Sequence, residues 1–560
     1  MKYKIKDILI ILFITIVYSI LSFINLGTIV EPQTFWKAEN ISDTCTIKLD
    51  EVTYIDKMRI YVGPRSNEYD IYISNNGDEY SYLKTIEEKS VFSWNDIEIN
   101  EELKFMRLTA KDSNIYLGEI ALYNYDNKIV NATGVEENAK YVMDEKEAVP
   151  EEISYLNSSY FDEVYHPRTA YEYVNNLDIY EWTHPPLGKL IMSIPIRIFG
   201  MSPFSYRLMG NIAGILMIPI IYIFGMEMFK NRKYAILAAI IMACDNFHFA
   251  QTRLATVDSY LVLFIMLAFL FMYKYIKLED KEKLTKKIKM LFFSGLFMGC
   301  AIATKWTGCF AAIGLAIIFF IHFIKINIVE KIEKTKDNIN IQFKEKKWSV
   351  ESTVTVWFCF VFFVIIPILI YCACYIPDKN INTIEDIWNL QIDMYNYHSQ
   401  LKETHPFSSN WYTWFIMQKP VWYYLGETQE GITSTISGIG NPIIWWTGII
   451  GMVYVFLKGI IKQDKDSIFI IIAIITALIP YLGIGRDMFL YHYFPILPFM
   501  YLCLVILIKD LENKTKCNKI SAIYIFIIFI IFIYFYPVVS GMKVSTKYIE
   551  STKWLKTWYY

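Results

Sequence analysis

From Ile520 to Val539 the chain is an unbroken apolar run without one charged side chain, and it holds many more of this kind. Such a run can cross the hydrocarbon core of a bilayer only as a helix, because its backbone N–H and C=O groups find no water there and must pair within the segment. Ile8–Leu26 is the first, behind Lys2, Lys4 and Lys6. It is expected to be an uncleaved anchor, since its apolar core is too long for a signal peptide and no small-x-small cleavage site follows. The others are Leu208–Phe229, Tyr234–Phe249, Ala255–Tyr275, Met290–Ala303, Trp306–Phe323, Val354–Tyr375, Ile443–Leu457, Ile468–Ile484 and Phe489–Ile508. That makes about eleven spans, and the fold class is an α-helical polytopic membrane protein with polar inserts. Charged residues are only 20% of the chain and apolar ones 54%, which excludes disordered and collagen-like folds.

The lysines set the expected orientation. Threading the spans alternately puts Lys230–Lys233, Lys274–Lys289, Lys325–Lys347, Lys458–Lys465 and Lys509–Lys519 on the cytoplasmic side. With the N-terminus they hold 27 of the 54 Lys and Arg residues, as the positive-inside rule requires. The N-terminus is then cytoplasmic, while the C-terminus and two long segments, Gly27–Arg207 and Ile376–Asn441, face the exterior. A plasma membrane is the expected location. A net charge of −2 gives no sign of a nucleic-acid partner. Eight of the nine cysteines lie in or beside apolar runs, which leaves Cys45 with no disulfide partner outside the membrane.

Between Glu31 and Asp126 the pattern changes to short alternating runs, Lys57–Val62, Tyr69–Ser74 and Phe105–Thr109. Turn signals at Asn75-Asn-Gly-Asp78 and Lys111-Asp-Ser-Asn114 separate them. This is an all-β module of the sandwich kind. Its stretches RIYVGPRSNEYDIYISNNG and IYLGEIALYNY resemble discoidin-like jelly rolls, many of which bind carbohydrate; a spacer role is the plainer alternative. A Glu-rich linker, Glu136–Glu152, follows. Next come Tyr160-Phe-Asp-Glu-Val-Tyr-His-Pro-Arg168 and Thr183-His-Pro-Pro-Leu-Gly-Lys189, the latter opening a short apolar segment, Leu187–Phe199, expected to lie at the outer interface.

From about Tyr160 to Ser540 the chain resembles the protein O-mannosyltransferases, glycosyltransferase family 39, of the multispanning GT-C class. The resemblance rests on Phe161-Asp-Glu163, His184-Pro-Pro-Leu-Gly-Lys189, Tyr206-Arg-Leu208, Asp245-Asn246 with Gln251-x-Arg253 and Asp258, Lys305-Trp-x-Gly308, Gly440-Asn-Pro442 with Trp445-Trp446, and Tyr491-His-Tyr-Phe-Pro495. Their order over nearly the whole membrane part makes it specific. It implies transfer of mannose from a polyprenyl-phosphate-mannose donor to Ser or Thr hydroxyls of secreted or membrane proteins, with inversion. Eukaryotic members carry a different domain in a later exterior loop, and here that loop is short.

A hydroxyl needs a base as it attacks, whereas a polyprenyl phosphate leaves as an anion and needs cations in place of a general acid. The resemblance implies Asp162 as base, with Glu163 orienting the acceptor or a basic partner. Arg207 and Lys189 are the first candidates for the donor phosphate and Arg168 and Arg253 the second, although Arg207 and Lys189 could equally be interface anchors. His184, before two prolines, is a ligand or part of a rigid turn. Asp245, Asp258, Arg253 and Lys305 lie in or at the ends of spans, where charges are functional suspects; a carboxylate pairing with Arg253 for packing is the alternative. Tyr491 and His492 either line the donor cavity or belong to an aromatic belt, and Trp411 stands in a Trp-rich exterior loop that could roof the site.

No nucleotide-binding or zinc motif is present. No cofactor or essential metal is expected, with a divalent ion beside Asp162 and Glu163 as the alternative. The bilayer and the protein translocation machinery are candidate partners. The expected divisions are an anchor (1–27), the β module (28–130), a linker and juxtamembrane catalytic loop (131–206), core helices (207–376), the exterior aromatic loop (377–441) and C-terminal helices (442–560). Competing readings are a sister enzyme using another polyprenyl-linked sugar or a lipid or wall-polymer acceptor, a transporter with a lectin module, and an inactive carbohydrate-binding protein.

Overall fold

A computed structural model describes residues 5–279, 281–327, 329–334, 339–343, 349–402, 404–426 and 431–560, so the lysine-rich stretch Lys325–Lys347 lies partly outside the described residues. The chain forms two compact units. One comprises 25–181 and 191–209; the other comprises 1–24, 182–190 and 210–560.

The first unit is built on an antiparallel sheet of seven strands: β1 (Trp36–Ala38), β2 (Thr44–Val62), β3 (Asn67–Ser74), β4 (Ser81–Glu88), β5 (Ser93–Ala110), β6 (Ile115–Tyr123) and β7 (Ala132–Gly134). Their order is β1-β6-β2-β5-β3-β4, with β7 also on β2. The expected sandwich is realised as one curled sheet, and the long strands explain how. The first half of β2 pairs with β7 and the end of β5; its second half pairs with β6 and the start of β5. Register shifts at Lys48/Thr53 and Ile55/Lys57 separate the halves, and irregularities of this kind bend a strand and let a sheet fold over itself. Ile47, Ile60, Leu108 and Leu117 are buried in the core between the halves, each contributing about 1.5–3 kcal/mol. The Asn75–Asp78 turn falls between β3 and β4 as expected, with Gly77 at φ +87°.

The Glu-rich stretch is not a linker, and the expected division at residue 131 is absent. Short 3-10 turns at Glu137–Val142 and Lys146–Ala148 bring Ala139 and Val142 into the sheet core. Their carboxylates bond the sheet: Glu136 accepts from the backbone N–H and hydroxyl of Thr46, and Glu145 from Thr34. Composition alone hides this, because an acidic run reads as solvated until its partners are in place.

The second unit is helical. Ten described helices are long and apolar enough to cross a membrane, or eleven if the bent pair Arg232–Ala243 and Asn246–Arg253 is one span, against about eleven expected. Pro203–Phe229 begins in the first unit and continues into this one. Leu187–Phe199, at 13 residues, is too short to span. The bent pair turns through 58°, and Asp245 caps its second helix by accepting from the Phe247 N–H at 3.2 Å.

Candidate active site

In the β-containing unit, Asp162 and Glu163 sit on a 3-10 turn, Phe161–Val164. Phe161 enters it with φ +53°, a left-handed conformation that a bulky side chain adopts only when its surroundings enforce it. Asp162 is half-buried and Glu163 fully buried. The Glu163 carboxylate accepts from the Arg207 Nε at 2.8 Å and from its Nη2 at 2.6 Å. Arg207 Nη1 donates to the carbonyls of Leu26 and Tyr155, at 2.9 and 2.7 Å, and Nη2 also to that of Ser158 at 3.1 Å.

Arg207, the first candidate for the donor phosphate, is thus engaged on every side by the protein. All five of its N–H groups are spent on protein oxygens, so Arg207 fixes the turn that presents Asp162, and Glu163 orients that arginine. Arg168 is committed too. Its Nε donates to Glu172 at 3.1 Å and its guanidinium lies 3.5 Å from the ring centre of Tyr180. Burial pulls the Arg168 guanidinium below its ordinary value and pushes the Glu172 carboxyl up. Glu172 also takes the Tyr180 N–H at 2.7 Å, so the pair braces the helix His166–Asn175 and the chain after it.

The helical unit holds the other candidates in two clusters. The first is closed. Asp245 is fully buried and accepts from the backbone N–H of Asn441 at 2.9 Å, the Trp445 indole at 3.0 Å and the Tyr501 hydroxyl at 2.5 Å, besides Phe247. Asn441 caps the helix Pro442–Lys462 through its own Oδ1, while its Nδ2 donates to the carbonyls of Cys244 and Ile528. The backbone groups freed by the break at Asp245 are thereby satisfied within the protein. Gly440 leaves room for the Trp445 indole, which a Cβ would strike. Asp245 is therefore a structural hub that ties these three stretches of chain together.

The second cluster gathers around the His184-Pro-Pro-Leu-Gly-Lys189 turn. Gly188 packs where a Cβ would come within 2.8 Å of Val257 and 3.2 Å of Thr304. This closeness brings the turn against the residues next to Asp258 and Lys305. Those two form an ion pair at 2.9 Å, with Asp258 in the first turn of its helix, where the dipole favours an anion. The Lys305 ammonium lies 5.5 Å from the ring centre of Tyr491. Buried Lys189 donates to the His184 carbonyl at 2.8 Å and so ties its own turn. The His184 ring meets that of His398 at 5.5 Å, and His398 Nε2 bonds the Thr183 carbonyl at 2.8 Å. Arg253 donates to the Ile24 carbonyl at 2.7 Å and lies over Phe249.

His492 is buried in a ring stack with Tyr491 and Trp414, and its Nδ1 bonds the Phe489 backbone. That makes it a cap for the turn Leu490–Ile496. Trp411 is half-buried against Tyr412 on the aromatic loop, and Trp414 is fully buried.

Residue-type reasoning missed His398 and Arg486. Arg486 Nη1 donates to His398 Nδ1 at 3.1 Å. The only signal in the chain was an Arg-Asp pair beside glycines, just ahead of the Tyr491-His492 motif.

Comparison with known proteins adds two contiguous family matches. Residues 197–382 match the family described as dolichyl-phosphate-mannose-protein mannosyltransferase. Residues 383–558 match the C-terminal four-transmembrane region of protein-O-mannosyltransferase. Among curated proteins, a Mycobacterium tuberculosis polyprenol-phosphate-mannose–protein mannosyltransferase is 19% identical over 466 residues, covering 71% of this chain and 86% of the relative. The enzyme of that name from Corynebacterium glutamicum is 20% identical over 449 residues, covering 67% and 81%. Among solved structures, the S. cerevisiae protein O-mannosyltransferase Pmt1-Pmt2 complex bound to the sugar donor aligns with a TM-score of 0.61 at 12% identity, covering 72% of this chain and 89% of that one.

Proposed function

The chain belongs to the dolichyl-phosphate-mannose-protein mannosyltransferase family, and from that membership we propose that it moves mannose from a polyprenyl-phosphate-mannose donor to Ser or Thr hydroxyls of proteins. The observation that carries this reading is the pair of contiguous matches from residue 197 to 558. Relatives named for the same reaction cover most of the chain.

The transfer is a single displacement. Asp162 takes the proton of the acceptor hydroxyl as its oxygen bonds C1 of mannose. The bond from C1 to the phosphate oxygen breaks, polyprenyl phosphate leaves with the electron pair, and the anomeric centre inverts. A half-buried carboxylate on a turn fixed by the Glu163–Arg207 pair suits a base that must hold its aim, since misplaced catalytic groups lose rate steeply. Side-chain cations stabilise the leaving anion, so no metal or organic cofactor takes part. The reaction runs on the exterior face of the cell membrane, with the N-terminus cytoplasmic and the C-terminus exterior, on chains leaving the translocation machinery.

The test uses the purified full chain in liposomes with labelled polyprenyl-phosphate-mannose and a Ser/Thr-rich peptide. Label is expected in that peptide and absent from its all-Ala counterpart, at a rate unchanged by EDTA. Label only from another polyprenyl-linked sugar, or none from any, overturns the reading.

A further inference from the structure

The leaving phosphate needs a cation with donors to spare, and the arginines proposed from the sequence already hold protein groups. Arg207 gives five N–H groups to protein, Arg168 is held by Glu172 and Tyr180, and Arg253 takes the Ile24 carbonyl. Arg486 differs. It stands on the loop between the helices Lys465–Leu478 and Leu497–Thr515. Among the described residues its one hydrogen bond is to His398 Nδ1, and no carboxylate pairs with it. A guanidinium only donates, so Nδ1 accepts and the His398 proton sits on Nε2, aimed at the Thr183 carbonyl at 2.8 Å. His398 is thus a neutral bracket that fixes one edge of Arg486 and leaves its other N–H groups unspent.

The setting suits an anion. Arg486 is half-buried, and a Cβ on the neighbouring Gly483 or Gly485 would meet nothing within 4 Å, so the backbone just before Arg486 is uncrowded. The His184 ring lies 5.5 Å and the Trp306 ring 6.2 Å from that of His398. Lys305 and Arg486 are both close enough to act electrostatically on His492. Lys305 is paired with Asp258, and the Asp487 carboxylate next to Arg486 accepts from the His405 N–H at 2.7 Å, so Arg486 is the cation of this patch that no carboxylate pairs among the described residues.

We propose that Arg486, held by His398, binds the phosphate of the polyprenyl-phosphate donor and stays on it as the C1–O bond breaks. This assignment rests on the transferase reading above. The guanidinium fork matches two phosphate oxygens, which a lysine ammonium cannot do.

Two measurements on the full chain in detergent test it. In the transfer assay, Arg486→Gln should raise the donor KM by about tenfold or more, a loss of about 1.4 kcal/mol, with the acceptor KM unchanged and Arg486→Lys between. A lower kcat at unchanged donor KM overturns the assignment and makes Arg486 a positioning residue. The second needs no variant. Phenylglyoxal labelling of wild-type Arg486, read by peptide mass spectrometry, should be suppressed by polyprenyl phosphate and not by polyprenol, inorganic phosphate or phosphatidylglycerol at equal concentration. Equal labelling with and without polyprenyl phosphate, or equal protection by phosphatidylglycerol, overturns it. If wild type transfers no mannose while polyprenyl phosphate still protects Arg486, the transferase reading fails and the phosphate site stands.

Discussion

Asp245 and Arg486 both lie in the helical unit, and both hold a charge beside motif residues, yet they are built on opposite terms. The Asp245 carboxylate is fully buried and takes four donors from three separate stretches of chain. Arg486 is half-buried and has one hydrogen-bond partner among the described residues. A buried charge is tolerable only when its hydrogen-bonding capacity is filled, so a filled one reports on folding. A charge with donors left over at an open surface is available to a ligand. Arg207 belongs with Asp245 by this measure, although its place at the head of a membrane helix made it look like a phosphate clamp.

The comparison breaks most visibly at the hub. Asp245→Ala strands the Asn441 N–H, the Trp445 indole N–H and the Tyr501 hydroxyl in a buried site. At about 1–3 kcal/mol for each orphan, the loss should be about 3 kcal/mol or more. Heating the detergent-solubilised protein while following tryptophan fluorescence should show a much lower midpoint, and an unchanged midpoint would remove Asp245 from the structural class. Two matched substitutions sharpen the contrast. Arg207→Lys gives up a five-donor fork and should cost about 2 kcal/mol; Arg486→Lys should cost under about 0.5 kcal/mol. Denaturation midpoints of the two variants decide, and equal losses would dissolve the distinction.

A smaller effect than at the hub or at Arg207 is expected in the β-containing unit. Burial holds the Glu119 carboxyl up to about 7, with Oε2 accepting from the Glu145 N–H at 2.8 Å and Oε1 without a partner. The fold therefore favours the protonated form. Its contribution is complete below the unfolded value of 4.5 and is lost as pH rises through about 7. The unit should be less protected from hydrogen exchange near pH 8 than near pH 5.5, on the order of 1 kcal/mol, and Glu119→Gln should abolish the difference.

Much of the fold was legible in the chain. The spans follow from runs of apolar residues, which need no partner to be recognised, and strand fragments such as Lys57–Val62 lie inside the strands found. The extent of the long strands was not legible, because charged Lys48, Asp50 and Glu51 sit within β2 and mask its alternation. The acidic stretch 136–152 looked like a linker because the groups that bind its carboxylates, Thr34 and Thr46, lie about a hundred residues earlier. The same distance problem governs the site. Glu163 meets an arginine 44 residues on, and His398 reaches Thr183 across 215. Residue type names candidates, but only the fold says which donors are already spent.

The proposed transfer is a direct displacement with Asp162 as the base. Its most direct test is single-turnover transfer by Asp162→Asn with the enzyme saturated in donor, together with donor binding measured on the same preparation. Transfer slowed by about 10²–10⁴-fold at unchanged donor affinity is the predicted result. A rate within about twofold of wild type, well short of any general-base contribution, would contradict it.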